Sequence, residues 1–114
     1  PNSGGVIRPG LGLAASFLTC LDRPAEDIRS GPVAVISQSG GIASYLNNLA
    51  SERGDGIAVT VSTGNEADID LGAALDGVSR LDEVSVVVIV HNEEAHLGAL
   101  RALHRAREEL LRRW

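Results

Sequence analysis

Three short stretches gather the residues able to do chemistry: Ser37-Gln38-Ser39-Gly40-Gly41, Ser62 to Asp70, and His91-Asn92-Glu93-Glu94-Ala95-His96. In the first, hydroxyls and glycines stand where an apolar run, Pro32 to Ile36, gives way to a helical pattern. The first N–H groups of a helix have no internal partner and its dipole favours negative charge, so glycines there let an anion reach the backbone. Ser37 and Ser39 add hydroxyl donors, which makes Ser37, Ser39, Gly40 and Gly41 a candidate phosphate site. The plainer reading of the same residues is a tight turn with Ser39 as helix N-cap. The spacing matches neither a Walker loop, which needs a lysine, nor a dinucleotide fingerprint, which needs three spaced glycines.

A second chemistry competes for the same serine. Small-x-Ser-x-Gly between strand and helix resembles a nucleophile elbow, with Ser39 as nucleophile, Asp68 or Asp70 as the acid and His91, His96 or His104 as the base. A hydrolase sheet of that kind needs about twice this chain. Glu93 or Glu94 would orient a histidine or accept a proton, although acids at a helix start ordinarily serve its dipole. Glu93 and His96 have the i,i+3 spacing of carboxylate-bridged metal sites, but such sites draw several ligand pairs from different helices, so no metal is expected.

These residues need elements to hold them. Pro32 to Ile36, Ile57 to Val61 and Val84 to Val90 are continuous, β-branched runs, the signature of strands buried on both faces of a parallel sheet. Between the first two, Ile42, Tyr45, Leu46, Leu49 and Ala50 recur at helical spacing up to a capping Gly54. A shorter helix runs from Asp68 or Asp70 through Leu71, Ala74 and Leu75 to Gly77, and a third spans about Glu93 to Arg113, with Glu108–Arg112 and Glu109–Arg113 as i,i+4 pairs. Crossovers of this length predict a doubly wound, flavodoxin-like α/β sheet of parallel strands in the order 2-1-3. Residues 1–31 read as an irregular lead-in with one or two short extended pieces, and residues 32–114 as the βαβαβα unit of a single domain. At the carboxyl ends of the strands, Gly64 and Asn65 would share one crevice with Ser37 to Gly41. The run 84–90 would form an open edge, available to more of the same sheet or to a second copy of the chain.

Composition narrows the field. The chain has 114 residues and a formal charge of −5, with ten arginines and no lysine or methionine. One compact domain fits that length, and phosphate-loop or Schiff-base lysine chemistry is excluded. Negative charge and only three aromatics argue against nucleic acid and anionic membranes as partners. A lone cysteine fits a reducing, cytoplasmic setting. Pro1 and the absence of methionine lead us to expect a piece of a longer protein.

Pro1-Asn2-Ser3-Gly4, Ala15-Ser16-Phe17, Val33 to Gly41 and Val61 to Asp68 occur in one order at compatible spacing. Together they resemble the succinyl-CoA-synthetase-like domain of NDP-forming acyl-CoA synthetases, the group that includes ADP-forming acetyl-CoA synthetase and the succinyl-CoA synthetase α subunit. The resemblance implies a ligase that interconverts acyl-CoA, nucleoside diphosphate and phosphate with free acid, CoA and nucleoside triphosphate, through an acyl phosphate and a phosphohistidine. By it, Ser39, Gly40 and Gly41 hold the phosphoryl group, Asn2 and Ser3 lie on the CoA-thiol side, and Glu93 orients the histidine. No Ser-His-Thr-Gly-like motif occurs here, so the phosphohistidine subdomain, the CoA-binding Rossmann domain and the ATP-grasp domain with its nucleotide and Mg²⁺ are implied as partners elsewhere in a parent protein. The chain alone is then expected to be inactive. The remaining alternative is a regulatory or oligomerisation domain that kept the fold without the chemistry.

Overall fold

The computed structural model describes residues 3–16, 18–22, 27–91, 104, 105, 107–109, 111 and 112. Strands are β1 (Gly5–Arg8), β2 (Leu13–Ser16), β3 (Val33–Ser37), β4 (Ile57–Ser62) and β5 (Val86–Val90); helices are α1 (Gly40–Arg53) and α2 (Leu71–Val78). They form one sheet in the order β2-β1-β4-β3-β5. β4, β3 and β5 are parallel, the flavodoxin-like 2-1-3 arrangement that the three β-branched runs predict. The third run is trimmed, because Val84 is buried ahead of the strand and pairing begins at Val86.

The short extended pieces of the lead-in are paired strands. Pro9–Leu11 forms a 3₁₀ turn closed by a left-handed Gly12, and this folds β2 back on β1. β1 then pairs antiparallel with β4, so the sheet is mixed and the β4 edge is covered. On the other side β5 is the outermost strand among the described residues, with Val86 51% exposed.

Alternation along the strands sends residues to two faces. Thr60 pairs with Val35 and faces α1, where the Asn47 amide donates to its hydroxyl at 2.8 Å. Ile36 pairs with Val61 and points the other way, into a core of Ala34, Ala58, Leu71, Leu75 and Val78 beneath α2. The face of α1 differs from the expected one. Its buried residues are Ala43, Ser44 and Asn47, whereas Tyr45 is 64% exposed and Ile42 is also exposed. Small side chains bring the helix axis close to the sheet, and the Asn47–Thr60 pair removes the penalty of burying an amide. The larger apolar side chains are left on the flank.

Caps set the helix ends. Ser39 Oγ accepts from Ile42 N at the start of α1, and Gly54, at φ 80°, accommodates the left-handed turn that ends it. Asp70 caps α2 by accepting from Ala73 N at 2.7 Å. Gly77 does not close α2 as expected but lies inside it, with Ser79 as the C-cap. Residues 104, 105, 107–109, 111 and 112 are helical, and Arg105 pairs with Asp76, which sets this segment beside α2. There Glu109 pairs with Arg112 and Glu108 with Arg107, so the expected Glu108–Arg112 spacing is replaced by shorter-range contacts. No helix among the described residues is long and apolar enough to cross a membrane.

Candidate functional site

β3 passes to β4 through α1 on one face of the sheet and β4 passes to β5 through α2 on the other, so the chain changes direction between the neighbours β3 and β5. The gap between their carboxyl ends is therefore the switch point where ligands sit in such sheets. The Ser37 to Gly41 turn leaves β3 at this point. Ser37 is fully buried; its hydroxyl donates to Ser39 O at 2.9 Å and accepts from Ser39 N at 3.1 Å. That closed ring fixes the turn and leaves the Ser37 hydroxyl engaged within it. Ser39 supplies the helix cap. Ile42 N and Ala43 N are satisfied by Ser39, whereas Gly40 N and Gly41 N meet no acceptor among the described residues.

Neighbouring segments close in on these amides. The Ser3 hydroxyl donates to Ser62 O, and Gly4 N donates to Ser62 Oγ at 3.1 Å. A Cβ on Gly40 would stand 3.1 Å from Leu18 Cδ2 and 3.8 Å from Ser62 Oγ, so the helix start is pressed against the end of β4. Ser3 and Gly40 are thus brought to the same strand end, with Ser62 between them. Gly64, at φ 62°, turns the chain after β4, and Asn65 is exposed beside it. Asn2, Glu93 and His96 lie outside the described residues.

A second cluster at this end was not expected as a unit. Gln38 follows β3, His91 follows β5, and the loop after β4 carries Glu66 between them. Glu66 Oε1 accepts from Gln38 Nε2 at 3.2 Å and lies 3.4 Å from His91 Nε2. Glu66 holds this position with φ 58°, a left-handed conformation that side chains other than glycine adopt at a cost of roughly 1–2 kcal/mol. The available signal was positional, since polar residues just past three adjacent strand ends must converge. Asp70 is occupied with capping α2 and Ser39 with capping α1, so the triad of a small hydrolase finds these groups already engaged. Among the described residues no group of three His, Cys, Asp or Glu is arranged to hold a metal ion.

Residues 30–112 match the model of the succinyl-CoA ligase like flavodoxin domain. The chain belongs to this family. Similar solved structures include dinucleotide forming acetyl-coenzyme A synthetase 1 of Ca. Korarchaeum cryptofilum in its apo form, at 30% identity and a TM-score of 0.73 over 96% of this chain. The same enzyme in complex with phosphate and ADP matches equally well. PH0766 from Pyrococcus horikoshii OT3 shares the fold at 22% identity and a TM-score of 0.79. The succinyl-CoA ligase-like domain described here spans 22% and 24% of those chains.

Proposed function

We propose that this succinyl-CoA ligase-like domain forms the phosphoryl-holding part of an NDP-forming acyl-CoA synthetase. The observation that carries the reading is the pair of amides, Gly40 N and Gly41 N, with no acceptor among the described residues at the head of a fourteen-residue helix. An anionic phosphoryl oxygen satisfies both donors and is favoured by the helix dipole. The Ser37 ring presets the turn, so the donors stand in place before the anion arrives. In this role the domain holds charge while a phosphohistidine from another domain delivers the phosphoryl group, and CoA chemistry takes place on the Ser3 side of the Ser62 strand end. The whole reaction interconverts acyl-CoA, nucleoside diphosphate and phosphate with acid, CoA and nucleoside triphosphate. It needs a CoA-binding Rossmann domain, a phosphohistidine subdomain and an ATP-grasp domain in the same assembly.

The test is an amide NMR titration of the chain with inorganic phosphate at constant ionic strength. Gly40 and Gly41 resonances move first and saturate at millimolar phosphate, and sulfate competes. Static Gly40 and Gly41 resonances, with shifts elsewhere, defeat the proposal.

A further inference from the structure

α1 carries two faces that suit burial, and the sheet uses one of them. Ala43, Ser44 and Asn47 are buried against the sheet. Tyr45 lies midway between Ala43 and Asn47 in sequence, which at about 3.6 residues per turn sets it on the opposite side of the helix, where it is 64% exposed. Ile42, 38% exposed, and the half-buried Leu46 and Leu49 stand beside it, so the four residues recur at i, i+3, i+4 and i+7. They make an outward apolar stripe about 100° wide, the width that a helix ordinarily turns to a core. No charged side chain interrupts it before Glu52 and Arg53 in the last turn.

The stripe is complementary to itself. A two-fold axis between Tyr45 and Leu46 sets two antiparallel copies of α1 side by side, with Ile42 of one against Leu49 of the other and Tyr45 against Leu46. The same axis fixes where the charges fall. α1 begins without charge, in Gly40-Gly41-Ile42, and ends in Glu52-Arg53. Antiparallel pairing lays the Glu52 carboxylate of one copy beside the Ser39 to Gly41 turn of the other, at the positive end of the helix dipole. There Gly40 N and Gly41 N meet no acceptor among the described residues. Parallel pairing instead brings like charges and like dipole ends together. Tyr45 at the centre suits an interface, since its ring gives contact area with few rotatable bonds while its hydroxyl stays hydrated.

We propose that α1 is the contact surface for a second copy of this chain, paired antiparallel through Ile42, Tyr45, Leu46 and Leu49, with Glu52 of each copy on the helix start of the other. The stripe is only about 10 Å long and buries less than the roughly 800 Å² per partner of a standard interface, so the dimer is weak, with a Kd of about 0.1–1 mM. The pairing itself needs nothing of the phosphoryl-holding role. Its competition with phosphate for the helix start does rest on that role: bound phosphate repels the incoming Glu52 and loosens the dimer.

The test is sedimentation equilibrium of the chain from about 0.05 to about 2 mM in about 0.15 M salt, where the net charge of −5 on each copy is screened beyond roughly 8 Å. Tyr45→Glu, at an exposed site that leaves the fold intact, weakens self-association at least about tenfold, whereas Tyr45→Phe stays within about threefold of the unsubstituted chain. Glu52→Gln weakens it by about two- to fivefold. In a mixture of labelled and unlabelled copies, isotope-filtered NOEs join the Ile42 methyls of one copy to the Leu49 methyls of the other. A chain that stays monomeric at about 2 mM overturns the proposal. So does a Tyr45→Glu variant that associates as the unsubstituted chain does, as it would through the outer strand β5. NOEs from Ile42 to Ile42 overturn the antiparallel order. If phosphate moves Gly40 and Gly41 in a chain that never dimerises, this proposal falls and the phosphoryl reading stands. A chain that dimerises, but whose Gly40 and Gly41 ignore phosphate even when dilute, defeats the phosphoryl reading alone.

Discussion

Glu66 Oε1 stands 3.4 Å from His91 Nε2, joining the loop after β4 to the residue that follows β5 across the intervening strand β3. The same oxygen accepts from Gln38, the first residue beyond β3, so one carboxylate ties three strand ends together beside the Ser37 to Gly41 turn. The contact is only 19% exposed on the glutamate side, which shields it from part of the solvent screening that weakens surface pairs.

Two opposing terms meet at Glu66, and substitutions separate them. Glu66→Ala loses the carboxylate but keeps a left-handed residue with a Cβ, so it destabilises the fold by about 1 kcal/mol. Glu66→Gly loses the same contacts while relieving the backbone, and is at least as stable as the alanine variant despite glycine's entropy in the unfolded chain. Urea unfolding of the two variants checks the order.

Between α1 and the sheet, Asn47 and Thr60 satisfy each other: the amide nitrogen donates to the hydroxyl at 2.8 Å, and the hydroxyl donates to Asn47 Oδ1 at 3.1 Å. Removing one partner strands the other in a buried site. Thr60→Val and Asn47→Leu each lower stability by roughly 1–3 kcal/mol, and the double variant loses clearly less than the two losses added together. Denaturant melts of the four proteins measure that coupling.

Two glycines should respond in opposite directions. A Cβ on Gly56 would lie 2.3 Å from Ser30 O and 2.5 Å from Gly31 Cα, backbone against backbone, so Gly56→Ala destabilises by about 1–3 kcal/mol. Gly77 sits inside α2 with nothing near its missing side chain, and Gly77→Ala stabilises by about 0.5–1 kcal/mol. Thermal melts of the two variants check both signs; a loss at Gly77 would favour the capping role that its place in the sequence suggests.

The parallel core was legible because Val33 to Ile36, Ile57 to Val61 and Val86 to Val90 are β-branched and unbroken, a pattern only a doubly covered strand tolerates. The 2-1-3 order followed from crossover length and handedness. The β1–β2 pairing was less visible: Leu13 to Ala15 are exposed, and an exposed strand carries no alternation to read. On α1 the large side chains of Ile42 and Tyr45 dominated the periodicity, yet packing selected Ala43, Ser44 and Asn47, whose small size permits close approach to the sheet. The turn at Ser39-Gly40-Gly41 could be located because an apolar run ends just before it and a serine there caps the helix that follows. Glu66, Gln38 and His91 are separated by 28 and 25 residues of chain respectively, and only the strand register brings them together.

The phosphoryl-holding role proposed for the Ser37 to Gly41 turn is tested most directly with a phosphohistidine stand-in. The labelled chain is titrated with a short peptide carrying a phosphonate-triazole in place of phosphohistidine, and separately with the same peptide carrying unmodified histidine. The phosphonate peptide is expected to shift the Gly40 and Gly41 amides and to compete with inorganic phosphate, while the unmodified peptide leaves them in place. Equal responses to the two peptides, or a phosphonate response confined to residues away from Ser39 to Gly41, would contradict it.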